Sequence, residues 1–210
     1  MLSWFGTIVT GLALGACSLV GIRGGYEQPP YTVVQHIGDS VEIREYGPRL
    51  AAEVTVPAGD PEAARGDAFR ALAGYIFGGN KGETKVAMTV PVETSGEVET
   101  IAMTAPVATT TSGGEMTMRF FLPATLTAST APVPNDSRVH IVELPPTTVA
   151  ALRFSGSPTE ASLAEHQQQL LAALAGTGWQ PAGEPSILYY DPPWTVPFLR
   201  RNEAVVAVTR

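Results

Sequence analysis

The sequence contains few cysteine, histidine and charged residues. The single cysteine and the small number of basic residues each exclude a class of protein. A single cysteine cannot form an internal disulfide or a cysteine-based zinc cluster. Lysine and arginine number 13 against 20 acidic residues, which gives a net charge of −7. This balance argues against nucleic-acid binding and against docking on an anionic membrane through charge alone, because both need basic groups. Apolar residues make up 44% of the 210 residues, enough for a globular core.

The N-terminal segment has the character of an export signal. Residues 1–22 contain no charged side chain, and a stretch of this length is long enough to cross a bilayer as a helix. Within it, Leu14-Gly15-Ala16-Cys17 resembles a bacterial lipobox, which predicts a lipoprotein signal peptide over residues 1–16 and lipidation of Cys17. An uncleaved signal-anchor and an ordinary signal peptide remain alternatives, since no basic residue precedes the apolar run.

The chain after the signal divides into a tether and one domain. Residues 17–30 include Gly24-Gly25 and Pro29-Pro30, which predict a flexible tether, and residues 31–210 form the predicted domain. A lipid anchor implies a membrane-anchored protein of the cell envelope that faces the periplasm. Ser18 differs from the Asp that resembles an inner-membrane retention signal, so the outer membrane is favoured.

The domain combines β-rich segments with two long helices. Asp60-Pro61-Glu62 predicts one helix start, and Gly78-Gly79 its end. Ser157-Pro158-Thr159-Glu160 predicts a second start as a capping box with proline at the first helical position. The pattern indicates an α+β domain with two helices against an antiparallel sheet in pseudo-duplicated halves. Strands are predicted at 31–36, 41–46, 50–56, 85–90, 100–105, 115–122, 139–144, 148–154, 187–190 and 204–208.

One short motif occurs twice. Residues 86–92 and 101–107 both have the form (V/I)-A-M-T-x-P-V, fifteen residues apart. A proline near the end of each copy cannot donate to a sheet ladder. The repeat therefore predicts two neighbouring strands that each end at a proline.

An ordered set of motifs resembles the SOUL family of haem-binding proteins from about residue 31 to residue 208. They are Glu42-Ile43-Arg44-Glu45-Tyr46-Gly47-Pro48, Tyr75-Ile76-Phe77-Gly78-Gly79-Asn80, the two M-T-x-P-V segments, Pro132-Val133-Pro134, Arg153-Phe154-Ser155-Gly156, Tyr190-Asp191-Pro192-Pro193 and Arg200-Arg201-Asn202-Glu203. The resemblance implies a distorted antiparallel barrel of eight or nine strands flanked by two long helices. It also implies binding of haem or a related tetrapyrrole, without an enzymatic reaction, in an apolar groove between the first helix and neighbouring strands.

The resemblance makes the first helix the candidate site. Some family members carry histidine directly before the tyrosine of the first motif, and here Glu45 occupies that position, so this axial ligand is absent. The candidate cofactor-binding residues are Phe69, Leu72, Ala73 and Ile76 as the groove, Arg65 as a propionate partner, and Met88 and Met103 as thioether donors. Each also has a structural interpretation: the apolar stripe on the helix could pack on the sheet, the two methionines could be core residues, and the arginine could be solvated.

Other chemistry finds little support in the sequence. His36, His140 and His166 have no partner at metal-ligand spacing, so no metal site is predicted. No motif of a nucleophile elbow, a zinc protease or a phosphate-binding loop occurs, and no catalytic residue is predicted. The sequence therefore predicts an envelope-anchored tetrapyrrole-binding protein that acts as carrier, buffer or sensor. The alternatives are a non-enzymatic interaction or scaffold protein that kept the fold without haem, and an enzyme acting on a small apolar substrate.

Overall fold

The computed structural model describes residues 27–87, 89–96, 114–191 and 194–210. These residues form one curled antiparallel sheet with two helices, which confirms the predicted α+β class. A short 3₁₀ turn at Pro197–Leu199 precedes the last strand. The elements in chain order are β1 (Tyr31–Ile37), β2 (Val41–Tyr46), β3 (Arg49–Pro57), α1 (Pro61–Ile76), β4 (Val92–Gly96), β5 (Glu115–Phe121), β6 (His140–Leu144), β7 (Thr147–Phe154), α2 (Glu160–Leu174), β8 (Gln180–Pro181), β9 (Ser186–Tyr189) and β10 (Asn202–Thr209).

The sheet consists of two halves with matching topology. Its strand order is β1-β2-β7-β10-β9-β4-β5-β3-β6, and β8 pairs with β10 outside this path. The elements β2, β3, α1, β4 and β5 of the first half correspond in turn to β6, β7, α2, β9 and β10 of the second half. When each strand is replaced by its counterpart, the strand order from β2 to β6 is the same order in the opposite direction. The prediction of pseudo-duplicated halves is thus confirmed, with the pseudo-twofold between β4 and β9. Among the described strands β1 and β6 form the two edges, and the β1–β2 register shifts between Val33 and Gln35.

Helix α1 begins and ends where the local sequence predicts. The Asp60 side chain accepts a hydrogen bond from the backbone N–H of Glu62, and Pro61 opens the first turn. After Ile76 the chain turns through Gly78, whose φ of +112° favours glycine. At Gly79 an added Cβ would lie 2.6 Å from the carbonyl oxygen of Gly74, so only glycine fits this close turn.

Helix α2 starts two residues later than predicted. The cap is Thr159, whose hydroxyl accepts from the N–H of Ser162, and the helix runs from Glu160. The prediction of Ser157 as cap with Pro158 inside the helix is wrong, because Thr159 N–H bonds the carbonyl of Ser157 and residues 157–159 form a turn. Leu170 and Leu174 are buried as their spacing predicts.

The predicted strand at 85–90 is not formed. Its described residues, 85–87, 89 and 90, contain only an isolated bridge from Thr89 to Glu27. The Val90 N–H bonds the carbonyl of Glu27, the Thr89 hydroxyl bonds the carbonyl of Phe121, and β4 begins after Pro91. The first copy of the repeated motif therefore leads into a strand instead of forming one. The second copy, the predicted strand at 100–105, lies outside the described residues.

Alternating side chains give the sheet two different faces. On the helix face, α1 covers β3 and β5, while α2 covers β7 and β10. Each helix has its own apolar cluster there, centred on Leu72 in the first half and on Leu170 in the second. The inner face of the curled sheet carries a third cluster, which includes Phe121, Leu188 and Val205. Two faces, one covered by helices and one open, are thus available to position ligand groups.

Candidate functional site

The predicted groove residues of α1 separate into buried and accessible positions. Leu72 and Ile76 are 0% and 1% exposed and fill the core between α1 and the sheet. Phe69 is 41% exposed, and Arg65 and Ala73 are half-buried. A ligand can therefore meet Phe69, Arg65 and Ala73 from solvent, whereas Leu72 and Ile76 would support such a surface from below. Their role in ligand binding stays a prediction.

A row of five side chains crosses the helix face from one helix to the other. Phe69 of α1 lies over one end, with its ring 5.5 Å from that of Phe120. His166 of α2 lies over the other end and stacks on Phe154 at 3.9 Å. Because β5, β4, β9, β10 and β7 are consecutive in the sheet, each member pairs with the next. The members of this inter-helix row are Phe120, Val92, Tyr189, Asn202 and Phe154.

The centre of the inter-helix row holds an unused polar group. The Tyr189 hydroxyl is buried and has no hydrogen-bond partner among the residues that the structure describes. Burial raises the pKa of Tyr189, and the nearby Thr94 side chain and, after it, the charge of Arg65 partly oppose that rise. Arg65 precedes Phe69 by four residues, so the two side chains share a helix face. An exposed aromatic ring thus shares a helix face with a guanidinium whose charge reaches a buried phenol, and these groups suit an apolar ligand with a carboxylate.

The remaining predicted positions contribute less to this surface. Met88, Met103 and Cys17 lie outside the described residues. His36 pairs across the β1–β2 ladder with Glu42, and His140 is exposed at the start of β6. Within the described ranges, no group of three or more His, Cys, Asp or Glu side chains could hold a metal ion.

The position of the family's histidine is far from α1 in the sheet. Glu45 is exposed on β2, and the four strands β7, β10, β9 and β4 lie between β2 and β5. Neighbouring strands are about 4.8 Å apart. A histidine at position 45 would therefore lie far from Phe69.

His166 is the histidine nearest to the inter-helix row. Its Nδ1 atom lies 2.6 Å from the carbonyl oxygen of Ser162, one turn earlier in α2. This contact and the stacking on Phe154 fix the ring at the end of the row. Its aromatic partner Phe154 precedes it by 12 residues and lies on a strand, so no local pattern in the sequence connects the two side chains.

A buried charge cluster stabilises the inner face. Glu203 is 0% exposed, and its carboxylate accepts from Arg44 at 2.6 and 3.1 Å, from Arg201 at 2.6 and 3.0 Å and from the Tyr190 hydroxyl at 2.8 Å. Burial alone would raise the pKa of Glu203, but Arg44 and Arg201 outweigh it and hold the pKa below its ordinary value. Burial and the carboxylate beside it raise the pKa of Tyr190. Arg44 and Arg201 thus share Glu203 as a buried counter-charge.

The inner face also contains a cleft that sequence reasoning missed. It has a volume of about 380 Å³ and is lined from both halves of the sheet. Its walls come from strands that are far apart in the chain, so no local pattern marks it. The side chains that define this inner cleft are Tyr46, Arg49, Glu93, Phe121, Leu188 and Val205.

The fold defines an α+β half-barrel domain with ligand-accessible surfaces on both faces. A family model described as SOUL heme-binding protein matches residues 26–207, and the chain therefore belongs to this family. Membership suggests binding of haem or another tetrapyrrole, and the family generally comprises binding proteins instead of enzymes. Neither helix in the described part of the chain is long and apolar enough to span a membrane.

Individual relatives agree with the family and the fold. Heme-binding protein 2 of Mus musculus is 31% identical over 132 residues, which are 63% of this chain and 58% of the mouse protein's length. The C-terminal domain of EcmrR has a TM-score of 0.61 at 12% identity, covering 86% of this chain and 98% of that domain. A hydrolase from Listeria innocua has a TM-score of 0.57 at 14% identity, covering 81% and 92%. At such identities the solved structures show the fold alone.

Proposed function

We propose that this chain binds haem or a related tetrapyrrole reversibly on the helix face beside α1, without catalysing a reaction. The observation that carries the proposal is the exposed ring of Phe69 on the same helix face as Arg65, whose charge reaches the Tyr189 hydroxyl, a buried group without a hydrogen bond among the described residues. A tetrapyrrole offers a flat apolar surface and carboxylates, which match the ring and the two polar groups respectively. Family membership supports the same ligand class.

Some of these residues would contact the apolar part of the ligand, and others would orient it through polar contacts. Phe69 offers an aromatic face that already packs edge-on against Phe120, so its position is fixed before a ligand arrives. Arg65 would donate to a propionate, and Tyr189 would gain the hydrogen bond that it lacks in the free protein. Position 45 holds Glu and lies far from Phe69, so binding beside α1 depends on these contacts and not on an axial histidine at that position.

An absorbance titration with haem tests the proposal. The detergent-solubilised full chain should show a saturable one-to-one Soret shift, and Phe69→Asp should weaken the affinity at least tenfold, because a carboxylate would lie against the macrocycle. Val133→Asp is the matched control, since Val133 is exposed in a loop whose backbone accepts a hydrogen bond from Lys81, after the end of α1. An unsaturable response, or equal loss in both variants, would contradict the proposal.

The same proposal includes attachment to the cell envelope as a carrier, buffer or sensor. It rests on the uncharged N-terminal segment and on the single cysteine within it. Cys17→Ser should move the protein from the membrane fraction to the soluble fraction, because the acyl chains would be lost. A variant that stays with the membrane would point to an uncleaved signal-anchor instead.

A second candidate function is an envelope interaction protein that kept the fold without the ligand. Trp194 and Phe198 favour it, because both are largely exposed just before β10. A flat haem titration together with loss of a co-purifying protein in Trp194→Ser would favour this function. A Soret shift of unchanged affinity in the same variant would leave tetrapyrrole binding as the function.

A further inference from the structure

The inner cleft lies on the opposite side of the sheet from α1 and α2. Its floor is apolar, since Phe121, Leu188 and Val205 belong to the third cluster and point away from the helices. The volume of about 380 Å³ falls within the range of small-molecule pockets, roughly 300–1,000 Å³. A sheet layer separates this cleft from the proposed tetrapyrrole surface, so the two do not share side chains.

Arg49 is the distinctive polar residue of the cleft. Its guanidinium stacks on the rings of Tyr46, at 4.4 Å, and Phe121, at 5.4 Å. The Nε atom is buried without a hydrogen-bond partner among the described residues. Within the same residues, Arg49 takes part in no ion pair at all. A guanidinium stays charged at neutral pH, so the cleft holds a fixed positive group whose donor is unused.

Apart from Glu184 at the rim, the other charged side chains that line the cleft have partners. Arg119 pairs with Glu53 at 2.5 Å and with Glu93 at 3.5 Å. Glu93 also accepts a hydrogen bond of 2.8 Å from the Ser186 hydroxyl. Glu184 is exposed at the rim. The carboxylates of the interior are therefore occupied, and the remaining capacity is for an acceptor, which an anionic ligand would supply.

The pseudo-duplication singles out the same residue. Arg49 opens β3, and Thr147 opens β7, its equivalent in the second half, and both line the cleft. Tyr46 and Leu144, which end β2 and β6, are equivalent in the same way. Only the first half thus places a stacked cation at this point, which makes the two ends of the cleft different. A ligand with one charged end and one apolar end matches that asymmetry.

We infer that the inner cleft is a second ligand site, which binds a small aromatic or aliphatic monoanion with its carboxylate on Arg49 and its apolar body on Phe121, Leu188 and Val205. The site is independent of the tetrapyrrole surface, so the failure of one leaves the other intact. The ligand class follows from a charge-assisted hydrogen bond at one end and desolvated apolar contact at the other.

Calorimetric titration with two ligands of the same shape tests the inference. The full chain in detergent should bind 2-naphthoate at one site and bind the neutral 2-naphthamide more weakly by at least tenfold, with a detergent blank subtracted. Arg49→Met should remove this preference and leave the binding of 2-naphthamide within about twofold. Arg49→Lys keeps the charge and should retain part of the preference. Equal binding of both ligands by the unmodified chain would overturn the inference.

Two controls locate the binding. Arg70→Met, at an arginine whose side chain is 73% exposed on α1, should leave naphthoate binding unchanged. Val205→Trp should abolish binding of both naphthalene ligands by filling the cleft, with near-ultraviolet circular dichroism confirming the fold. Saturating haem should not alter naphthoate affinity. Displacement of naphthoate by haem, or naphthoate binding that survives Val205→Trp in the folded protein, would contradict a separate inner site.

Discussion

The two faces of the sheet bury their side chains in different ways. On the helix face, residues such as Leu72 and Leu170 are sealed by apolar contact beneath a helix. On the inner face neither of the two described helices covers the strands, and a buried carboxylate, Glu203, holds two arginines there instead. The stability of the helix face therefore depends on the volume of its buried side chains, whereas that of the inner face depends on the balance of its buried charges.

Loss of charge on the inner face should have the largest effect on stability. Glu203→Gln leaves Arg44 and Arg201 without a buried counter-charge, and we expect a loss of about 3–5 kcal/mol in the free energy of unfolding. Urea denaturation at pH 7 measures it. Asp136→Asn, at an exposed carboxylate paired with Arg138, should lose less than about 1 kcal/mol. A similar small loss in both variants would show that charge balance does not govern the inner face.

Loss of volume on the helix face should come next. Leu72→Ala opens a cavity beneath α1, and we expect a loss of about 3 kcal/mol in unfolding free energy. Leu171→Ala is the control on α2, because Leu171 is exposed and should lose much less. The haem affinity of the folded Leu72→Ala protein should stay within about threefold. A selective loss of affinity with normal stability would instead make Leu72 a ligand contact.

Acid should weaken the inner face before it affects the helix-face cores. Because the pKa of Glu203 is held below its ordinary value of 4.5, its ion pairs stabilise the fold above about that pH, and this contribution is lost as pH falls through the lower native pKa. Urea denaturation between pH 6 and pH 3 should therefore show a smaller pH dependence for Glu203→Gln than for the unmodified chain. Parallel curves for the two proteins would refute this assignment.

The smallest effect on stability is expected at Tyr189 on the helix face. Tyr189→Phe removes a buried hydroxyl that has no partner in the described structure, so the unfolding free energy should change by less than about 1 kcal/mol. The same variant should weaken haem binding several-fold, because a propionate partner is gone. Thermal unfolding and the Soret titration measure the two quantities, and unchanged haem affinity would remove Tyr189 from the site.

Local signals in the sequence were sufficient to predict the helices and most of the strands, but they were insufficient to predict how exposed the side chains of those elements are. Asp60, Pro61 and Gly78 predict α1 correctly, because caps and turns depend on neighbours in the chain. The helical stripe identifies the face of α1 that meets the sheet. It does not reveal that Phe69 stays accessible while Leu72 is sealed, since this depends on where Phe120 lies below them.

Long-range contacts explain the features that sequence reasoning could not reach. Arg44 and Glu203 are 159 residues apart, and only the pairing of β2, β7 and β10 brings them together. The unpartnered donor of Arg49 is likewise visible only after the strands of both halves enclose it. The family motifs do contain Arg44 and Glu203, and the alternation of Glu42, Arg44 and Tyr46 along β2 was a usable signal that they share one face.

The shape of the two edge strands affects whether copies of this protein aggregate with one another. An open sheet exposes unpaired backbone groups at its margins, which can template the addition of a strand from another chain. Here the register shift between Val33 and Gln35 interrupts one margin, and Pro145-Pro146 directly follows the five-residue strand at the other. Both features limit edge-to-edge aggregation, so the open sheet that the described strands form can still remain a discrete unit when many copies are crowded together.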